Sequence, residues 1–182
     1  MVARAESFVA LLRGINVGGR NKLPMKDLVR ILERLGARNV RTYIQSGNAV
    51  FEVAARGSSA LARKLSAEIE KEFGFDARAQ VLSLDAIDEA MMRNPFPEAE
   101  SAPASLHLGF LASLPKRPDL AKLDRLRQGS ERFRLIGRVF YLHAPEGVGR
   151  SKLAAGAEQA LGVPMTDRNW RTVCRVRELA RD

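Results

Sequence analysis

Residues 40–53 read VRTYIQSGNAVFEV, two β-prone runs on either side of a short polar stretch. Valine, isoleucine, tyrosine and phenylalanine favour strands. The Ser46-Gly47-Asn48 sequence between the two runs is typical of a hairpin turn, because glycine and asparagine accept positive φ. We therefore predict an antiparallel hairpin at this point of the chain.

The segments on either side of this hairpin alternate between strands and helices. Residues 8–13 form a short apolar run typical of a buried strand, and a helical pattern extends from Pro24 to Gly36. After the hairpin, apolar residues recur at helical spacing over residues 61–73, and residues 79–84 return to a strand pattern. The resulting β-α-β-β-α-β order predicts an α+β fold that begins with a ferredoxin-like split β-α-β unit.

Prolines mark the boundary that we predict between two domains. After a short helix over residues 84–93, three prolines occur between positions 95 and 103, where they remove amide donors and interrupt regular structure. We therefore predict a ferredoxin-like α+β subdomain over residues 1–93 and a second subdomain over residues 94–182.

The second subdomain is predicted to be a modified α+β copy of the first that ends in helices. Its strand and helix patterns over residues 106–143 repeat the order β-α-β-β. A helix ending near Gly162 follows, and we predict a last helix from Asp167 or Arg168 to about Ala180.

The charge of the chain is positive and unevenly distributed. The net charge is +9, and residues 116–182 carry 15 basic but only 8 acidic residues. In the predicted last helix, Arg168, Arg171 and Arg175 are expected to share one face. A basic surface attracts phosphates, so nucleic-acid binding at this C-terminal surface is one of the functions that we consider.

Several other classes of protein are not expected. One cysteine, Cys174, forms no intramolecular disulfide, and with two histidines it offers little for a zinc site, so we predict neither a metal nor a cofactor. The apolar run that Arg13 closes is too short to span a membrane. We predict a cytoplasmic protein without a membrane partner, and no oligomeric state follows from the sequence.

A glycine-rich polar block, RGINVGGRNK, follows the first predicted strand and extends from Arg13 to Lys22. It places glycines as a phosphate-binding loop would, but Arg20-Asn21 stands where such a loop has Lys-Ser or Lys-Thr, and the helix begins only at Pro24. Nucleotide hydrolysis is therefore not indicated. Exposed glycine amides with Arg13, Arg20 and Lys22 would suit a bound anion, although Gly18-Gly19 would equally well serve only to turn the chain.

The second polar block, Gln45-Ser46-Gly47-Asn48, is expected to lie close to the first. In the split β-α-β fold the first and third strands are antiparallel neighbours. The loop after the first strand and the start of the third strand therefore meet at one end of the sheet. This arrangement would bring Asn48 near Arg13 and Asn16.

The segment Gly147 to Lys152 again combines glycines, cations and the start of a helix. Ser151 is a natural N-cap, so an ordinary capped helix is the simpler interpretation. With these residues included, the candidate ligand-binding set is Arg13, Asn16, Gly18, Gly19, Arg20, Asn21, Lys22, Gln45, Ser46, Asn48, Arg150, Ser151 and Lys152.

With its RGINVGG, YIQSGN and RNWRTV blocks, the chain resembles a bacterial family of unknown function that carries these signatures. The resemblance implies an α+β fold with two subdomains and supplies no activity. Many members of that family carry a lysine where this chain has Arg20. The charge is the same, but a planar guanidinium replaces a point cation, so the resemblance does not carry a lysine-dependent chemistry over to this chain.

Three functions thus remain open after the sequence. The first is binding of a small anionic or phosphorylated ligand at the N-terminal glycine-rich and amide-rich loops. The second is non-enzymatic nucleic-acid binding through the basic C-terminal surface. The third is that of an assembly module that binds a protein partner. The sequence identifies no catalytic residue, because Ser46 has no histidine in its half of the chain to activate it.

Overall fold

Two antiparallel four-stranded sheets organise the chain in a computed structural model that describes residues 5–54 and 58–182. The first sheet and its helices comprise β1 (Glu6–Arg13), α1 (Met25–Arg34), β2 (Arg38–Tyr43), β3 (Asn48–Val53), α2 (Ser58–Phe73) and β4 (Arg78–Ser83), followed by α3 (Leu84–Met92).

The first sheet has the strand order β2-β3-β1-β4, with every neighbouring pair antiparallel. This is the order of the ferredoxin-like split β-α-β unit, so the predicted fold class is confirmed. Leu11 lies opposite Asn48, and Arg13 lies opposite Arg78. The C-terminal end of β1 is therefore the end at which β3 begins.

One face of this sheet packs against α1 and α2. Phe8, Ala10 and Leu12 alternate along β1 and join a core with Leu28 of α1 and Leu65 of α2. Burying a leucine or phenylalanine side chain contributes roughly 1.5–3 kcal/mol, so this layer supplies much of the stability of the first sheet. The loops at the end of β1 are anchored on this packed layer.

The second half repeats the same architecture. It comprises β5 (Leu106–Leu111), α4 (Leu120–Leu126), β6 (Arg132–Ile136), β7 (Val139–His143), α5 (Lys152–Leu161), β8 (Met165–Asn169) and α6 (Trp170–Leu179), with short 3₁₀ turns at Pro97–Ser101 and Val148–Arg150. Its strand order is β6-β7-β5-β8, which matches that of the first sheet element for element.

Strand β8 corrects the prediction that the last helix begins at Asp167 or Arg168. These residues pair with β5 instead, with Asp167 opposite Gly109 and Arg168 opposite Leu108, and the helix begins at Trp170. The Asn169 side chain accepts a 3.0 Å hydrogen bond from the Thr172 N–H and so caps the helix. Pairing with a distant strand outweighed the local helical pattern.

The chain divides into two units, each held together by its own close contacts. The first unit takes the described residues of Met1–Glu89 together with Arg175–Asp182, and the second takes Ala90–Cys174. Within the first unit, Asp88 binds Arg177 and Arg181, the latter at 2.7 Å. These bonds hold the end of α6 to α3.

Candidate functional site

A small hairpin projects from the first sheet after β1. The Asn16 N–H donates to the Asn21 carbonyl and the Arg20 N–H to the Val17 carbonyl, each at 3.0 Å. Gly18 and Gly19 form the turn with φ of +57° and +75°. Two successive residues with positive φ are the requirement of a type I′ turn, so the glycines have a structural reason to be here. We call residues 16–22 the β1 hairpin.

The Asn16 side chain fixes this hairpin to the rest of the unit. Its amide nitrogen donates to the carbonyls of Leu23, at 2.9 Å, and of Gln45, at 2.8 Å. Its amide oxygen accepts from the Leu23 N–H at 2.9 Å. One side chain thus joins the loop after β1 to the turn between β2 and β3, and the two polar blocks of the sequence are in direct contact.

Gly47 makes the second connection between these loops. Its carbonyl accepts a 2.8 Å hydrogen bond from the Leu12 N–H. A Cβ at this position would lie 2.7 Å from both Leu12 Cβ and Ile15 Cδ1, and the backbone has φ of +79°. Only glycine meets both conditions.

The other asparagines of the predicted site also stabilise the loops. Asn48 is fully buried, and its amide donates to the Tyr43 carbonyl at 3.1 Å and to Ser46 Oγ at 2.9 Å. Asn21 donates to the Gly14 carbonyl at 2.8 Å. These side-chain amides, which the sequence predicts as ligand contacts, are therefore hydrogen-bonded within the loops.

Ile44 is a feature that the sequence analysis missed. It has φ of +49° and its side chain is 51% exposed. A β-branched residue in the left-handed region is unusual and costs on the order of 1–3 kcal/mol. Val17 of the β1 hairpin is also exposed, at 69%. No pattern in the sequence distinguishes these two residues from buried strand residues.

The exposed groups of the β1 hairpin are cationic and hydrogen-bond donors. Arg20 and Lys22 are exposed, and within residues 5–54 and 58–182 neither side chain has a carboxylate or other hydrogen-bond partner. The N–H groups of Gly18 and Gly19 likewise find no acceptor in these ranges. Arg13 is exposed at the end of β1, and Gln45 and Ser46 are exposed in the facing turn.

The remaining predicted residues lie in the second unit. Ser151 is buried and its Oγ accepts a 2.9 Å hydrogen bond from the Ala154 N–H, so it caps α5. Arg150 and Lys152 on either side are exposed, and neither has a side-chain partner in the part of the chain that is described. The capped-helix interpretation accounts for Ser151.

The arginine stripe predicted for the C-terminal helix keeps two of its three residues, Arg171 and Arg175, which are exposed and four residues apart on α6. Arg168 belongs to β8 and is half-buried, and burial lowers the pKa of its guanidinium to about 10 despite the neighbouring Asp167. Arg175 forms a 2.9 Å ion pair with Glu178 on α6. Nucleic-acid binding therefore stays a prediction, and its candidate residues on α6 are Arg171 and Arg175.

The two histidines of the chain have opposite environments, both within the second unit. His107 Nδ1 lies 2.8 Å from Asp167 Oδ2, and Nε2 lies 3.1 Å from the Ala104 carbonyl. Burial alone would lower the pKa of His107, but the hydrogen bond and charge of Asp167 outweigh it and raise the pKa above 6.5. Burial and the adjacent Arg132 lower the pKa of His143.

We expect stability to depend on pH through His107. The pKa of His107 is higher in the folded state than in the unfolded state. Its contribution to the free energy of unfolding is therefore complete at a pH below the unfolded-state pKa, and it is lost as the pH rises through the folded-state pKa. The free energy of unfolding of the native chain should therefore exceed that of Asp167→Asn by more at about pH 5.5 than at about pH 9. Chemical denaturation at both pH values measures this, and an equal difference would contradict it. An NMR titration should give His107 a higher pKa than His143.

Two further features bear on the class of protein. Within the described ranges, no three histidine, cysteine or acidic side chains gather as they would around a metal ion. The helices of the same ranges lack the combined length and hydropathy that a membrane crossing needs.

Two sheets with one shared strand order define an α+β protein with paired ferredoxin-like units and a preorganised cationic loop on the first of them. The chain belongs to the family described as "protein of unknown function (DUF1697)", whose model matches residues 5–141. The resemblance noted from the sequence blocks is thereby confirmed at the level of the family.

A solved structure shares this fold. It is that of the conserved bacterial protein SP0830 from Streptococcus pneumoniae, with a TM-score of 0.73 and 24% sequence identity, covering 97% of this chain and 99% of the other. Among curated proteins, none matches the sequence significantly. The likeness thus extends over both units and concerns architecture alone.

Proposed function

We propose that the β1 hairpin and the facing turn bind a small anionic or phosphorylated molecule. The observation that carries this proposal is the Asn16 side chain, whose three hydrogen bonds hold the hairpin in one position against Leu23 and Gln45. A loop that is already ordered loses little conformational entropy when it binds a ligand.

The groups available for such a ligand are cations and backbone amides. Arg20 and Lys22 are exposed without an ion-pair partner among the described residues. The backbone amides of Gly18 and Gly19 directly precede Arg20 in the chain. Consecutive free N–H groups beside a cation are a recurrent way of holding an oxyanion. The proposal includes no catalytic step and no cofactor.

The strain at Ile44 also favours a functional role for this end of the sheet. Unfavourable backbone conformations in exposed loops are often retained at ligand sites, where they position groups for binding. Here the left-handed Ile44 begins the turn that carries Gln45 and Ser46. Their exposed side chains provide neutral hydrogen-bonding groups next to the cationic hairpin.

The expected affinity for a simple anion is weak. Two charge-assisted contacts of roughly 1.5–3 kcal/mol each are comparable with the approximately 4.1 kcal/mol that corresponds to a Kd of about 1 mM. At about 10 mM ligand, tenfold above that Kd, the linkage relation gives a stabilisation of about 1.4 kcal/mol.

We expect pyrophosphate at about 10 mM and constant ionic strength to stabilise the native chain by this amount in urea unfolding. The double variant Arg20→Ala/Lys22→Ala should lose the stabilisation because both cations are removed. The matched control is Lys116→Ala/Arg117→Ala, which removes two exposed loop cations of the second unit and changes net charge equally. The control should retain the full effect.

Two results would overturn the proposal. One is an absence of stabilisation in the native chain at this concentration. The other is an equal loss of the pyrophosphate stabilisation in both double variants, which would show that the stabilisation depends only on the net charge of the chain.

A further inference from the structure

The second unit contains a groove of about 520 Å³ that the proposed function does not use. It is lined by residues 132–135 of β6, by Leu120 and Asp124 of α4, and by Arg127, the residue that follows α4. Pro95 and Phe96 complete the lining. The groove follows the outer side of β6, which is an edge strand of its sheet.

The backbone of β6 has hydrogen-bonding groups that face this groove. Ile136 and Val139 pair across the two-residue turn at Gly137 and Arg138, so Ile136, Arg134 and Arg132 direct their backbone groups toward β7. Phe133 and Leu135 alternate with them and direct theirs outward. Neither residue makes a backbone hydrogen bond outside the β6–β7 ladder to any described residue.

The groove carries excess positive charge. Arg134 is exposed and has no carboxylate partner within the described ranges, and Arg127 lies 3.8 Å from Asp124, too far for a good hydrogen bond. Arg132 is held in place by its ion pair with Glu98. Because Asp124 lies beside Arg127 and Glu98 is paired with Arg132, the lining leaves one guanidinium without a carboxylate, that of Arg134, which favours an acidic side chain beside it.

Arg132 also gives one end of the groove a fixed shape. Its guanidinium carbon lies 4.7 Å from the centre of the Phe96 ring, and its Nη2 donates to His143 Nδ1 at 3.0 Å. A cation stacked on an aromatic face and hydrogen-bonded at its edge has little rotational freedom. The end of β6 therefore presents an ordered surface.

Strand β2, the corresponding edge strand of the first unit, is interrupted by a bulge, whereas β6 is regular. Strand β2 has a shift in register between Arg38 and Arg41, and Asn39 has φ of +52°. Bulges of this kind protect edge strands from pairing with another chain. Strand β6 pairs with β7 over five consecutive residues without such an interruption.

We propose that β6 accepts an extended acidic segment of another protein as an additional antiparallel or parallel strand. The segment would bind the outward N–H and carbonyl groups of Phe133 and Leu135. Its acidic side chains would lie on the face of Arg134, and its apolar side chains on the opposite face, beside Phe133 and Leu120. Strand addition of this kind draws affinity from the backbone and specificity from alternate side chains.

The test uses a fluorescein-labelled decapeptide of alternating glutamate and valine, titrated with the full chain and followed by fluorescence anisotropy. We expect saturable binding, and weaker binding by a peptide of alternating lysine and valine. Arg134→Glu should weaken binding by about tenfold or more. Arg38→Glu on β2 is the matched control, since it gives the same change in net charge on an edge strand with a bulge, and it should bind as the native chain does.

Leu135→Pro separates strand addition from simple charge attraction. Proline at this position removes an N–H that faces outward, so the hydrogen bonds between β6 and β7 are retained. An added strand would lose one hydrogen bond and would clash with the proline ring. We expect at least about a tenfold loss, and little loss for Leu135→Ala, which keeps the N–H. If Leu135→Pro does not fold, a decapeptide N-methylated at alternate residues makes the same test on the native chain.

Four outcomes would overturn the proposal. They are no saturable binding, equal binding of the acidic and basic peptides, binding unaffected both by Leu135→Pro and by N-methylation, and association of the chain with itself through β6. None of these bears on pyrophosphate binding at the β1 hairpin, so the two proposals fail independently.

Discussion

Gly47→Ala is expected to lower the free energy of unfolding by about 2–5 kcal/mol, the largest effect that we predict for a single methyl group. The left-handed backbone at φ of +79° costs an alanine roughly 1–2 kcal/mol. The added Cβ would also lie 2.7 Å from Leu12 Cβ and Ile15 Cδ1, and overpacking of this kind costs about 1–3 kcal/mol. Urea denaturation measures the sum.

Gly18→Ala provides the matched control for this prediction. Gly18 has φ of +57°, but no atom lies within 4 Å of the position that its Cβ would occupy. Gly18→Ala should therefore lower the free energy of unfolding only by the cost of the left-handed backbone, about 1–2 kcal/mol. Equal losses in the two variants would show that the contact of Gly47 with β1 and Ile15 does not constrain the loops.

Asn16→Ala is expected to cost about 2–4 kcal/mol. It leaves the buried Leu23 N–H without its acceptor and removes both side-chain donations, and an unsatisfied buried group costs about 1–3 kcal/mol. Alanine also tolerates φ of +53° less well than asparagine does. The measurement is again the free energy of unfolding in urea.

Asn21→Ala is the control for Asn16→Ala. Asn21 has nearly the same backbone conformation, φ of +49°, but its exposed side chain makes a single hydrogen bond, to the Gly14 carbonyl. The difference between the two variants should therefore report the extra bonds of Asn16, roughly 1–3 kcal/mol. If Asn21→Ala is as destabilising as Asn16→Ala, then Asn16 is not the residue that fixes the β1 hairpin.

Much of the first unit could be predicted because its signals are local. The hairpin around Gly47 and the helical spacing of Leu28, Leu65 and their neighbours are visible in short windows of sequence, and together they imply one strand order. That order in turn implies that the loop after β1 meets the start of β3. The hydrogen bond from the Asn16 side chain to the Gln45 carbonyl shows that these two loops do meet.

Features that depend on distant contacts could not be predicted in the same way. Strand β8 forms because Asp167 and Arg168 pair with β5, a partner about 60 residues away in sequence for which no local pattern exists. Asn169, which caps α6, is the one signal that would have moved the start of that helix to Trp170.

The roles of the polar residues were also beyond the sequence. An asparagine in a loop either binds a ligand or holds the backbone, and the distinction depends on burial and on nearby carbonyls. The buried Asn48 and the triply bonded Asn16 hold the backbone. The positive φ of Ile44 leaves no trace in residue type.

The most direct test of the proposed site is an NMR titration of the ¹⁵N-labelled chain with pyrophosphate. Glycine amides form a distinct group in the ¹H–¹⁵N spectrum, and the chain has 14 glycines distributed over both units. We expect the amides of Gly18 and Gly19 to shift in a saturable manner with a Kd of about 1 mM, and the shifts to disappear in Arg20→Ala/Lys22→Ala. Unchanged Gly18 and Gly19 amides, or saturable shifts centred on other glycines, would contradict anion binding at the β1 hairpin.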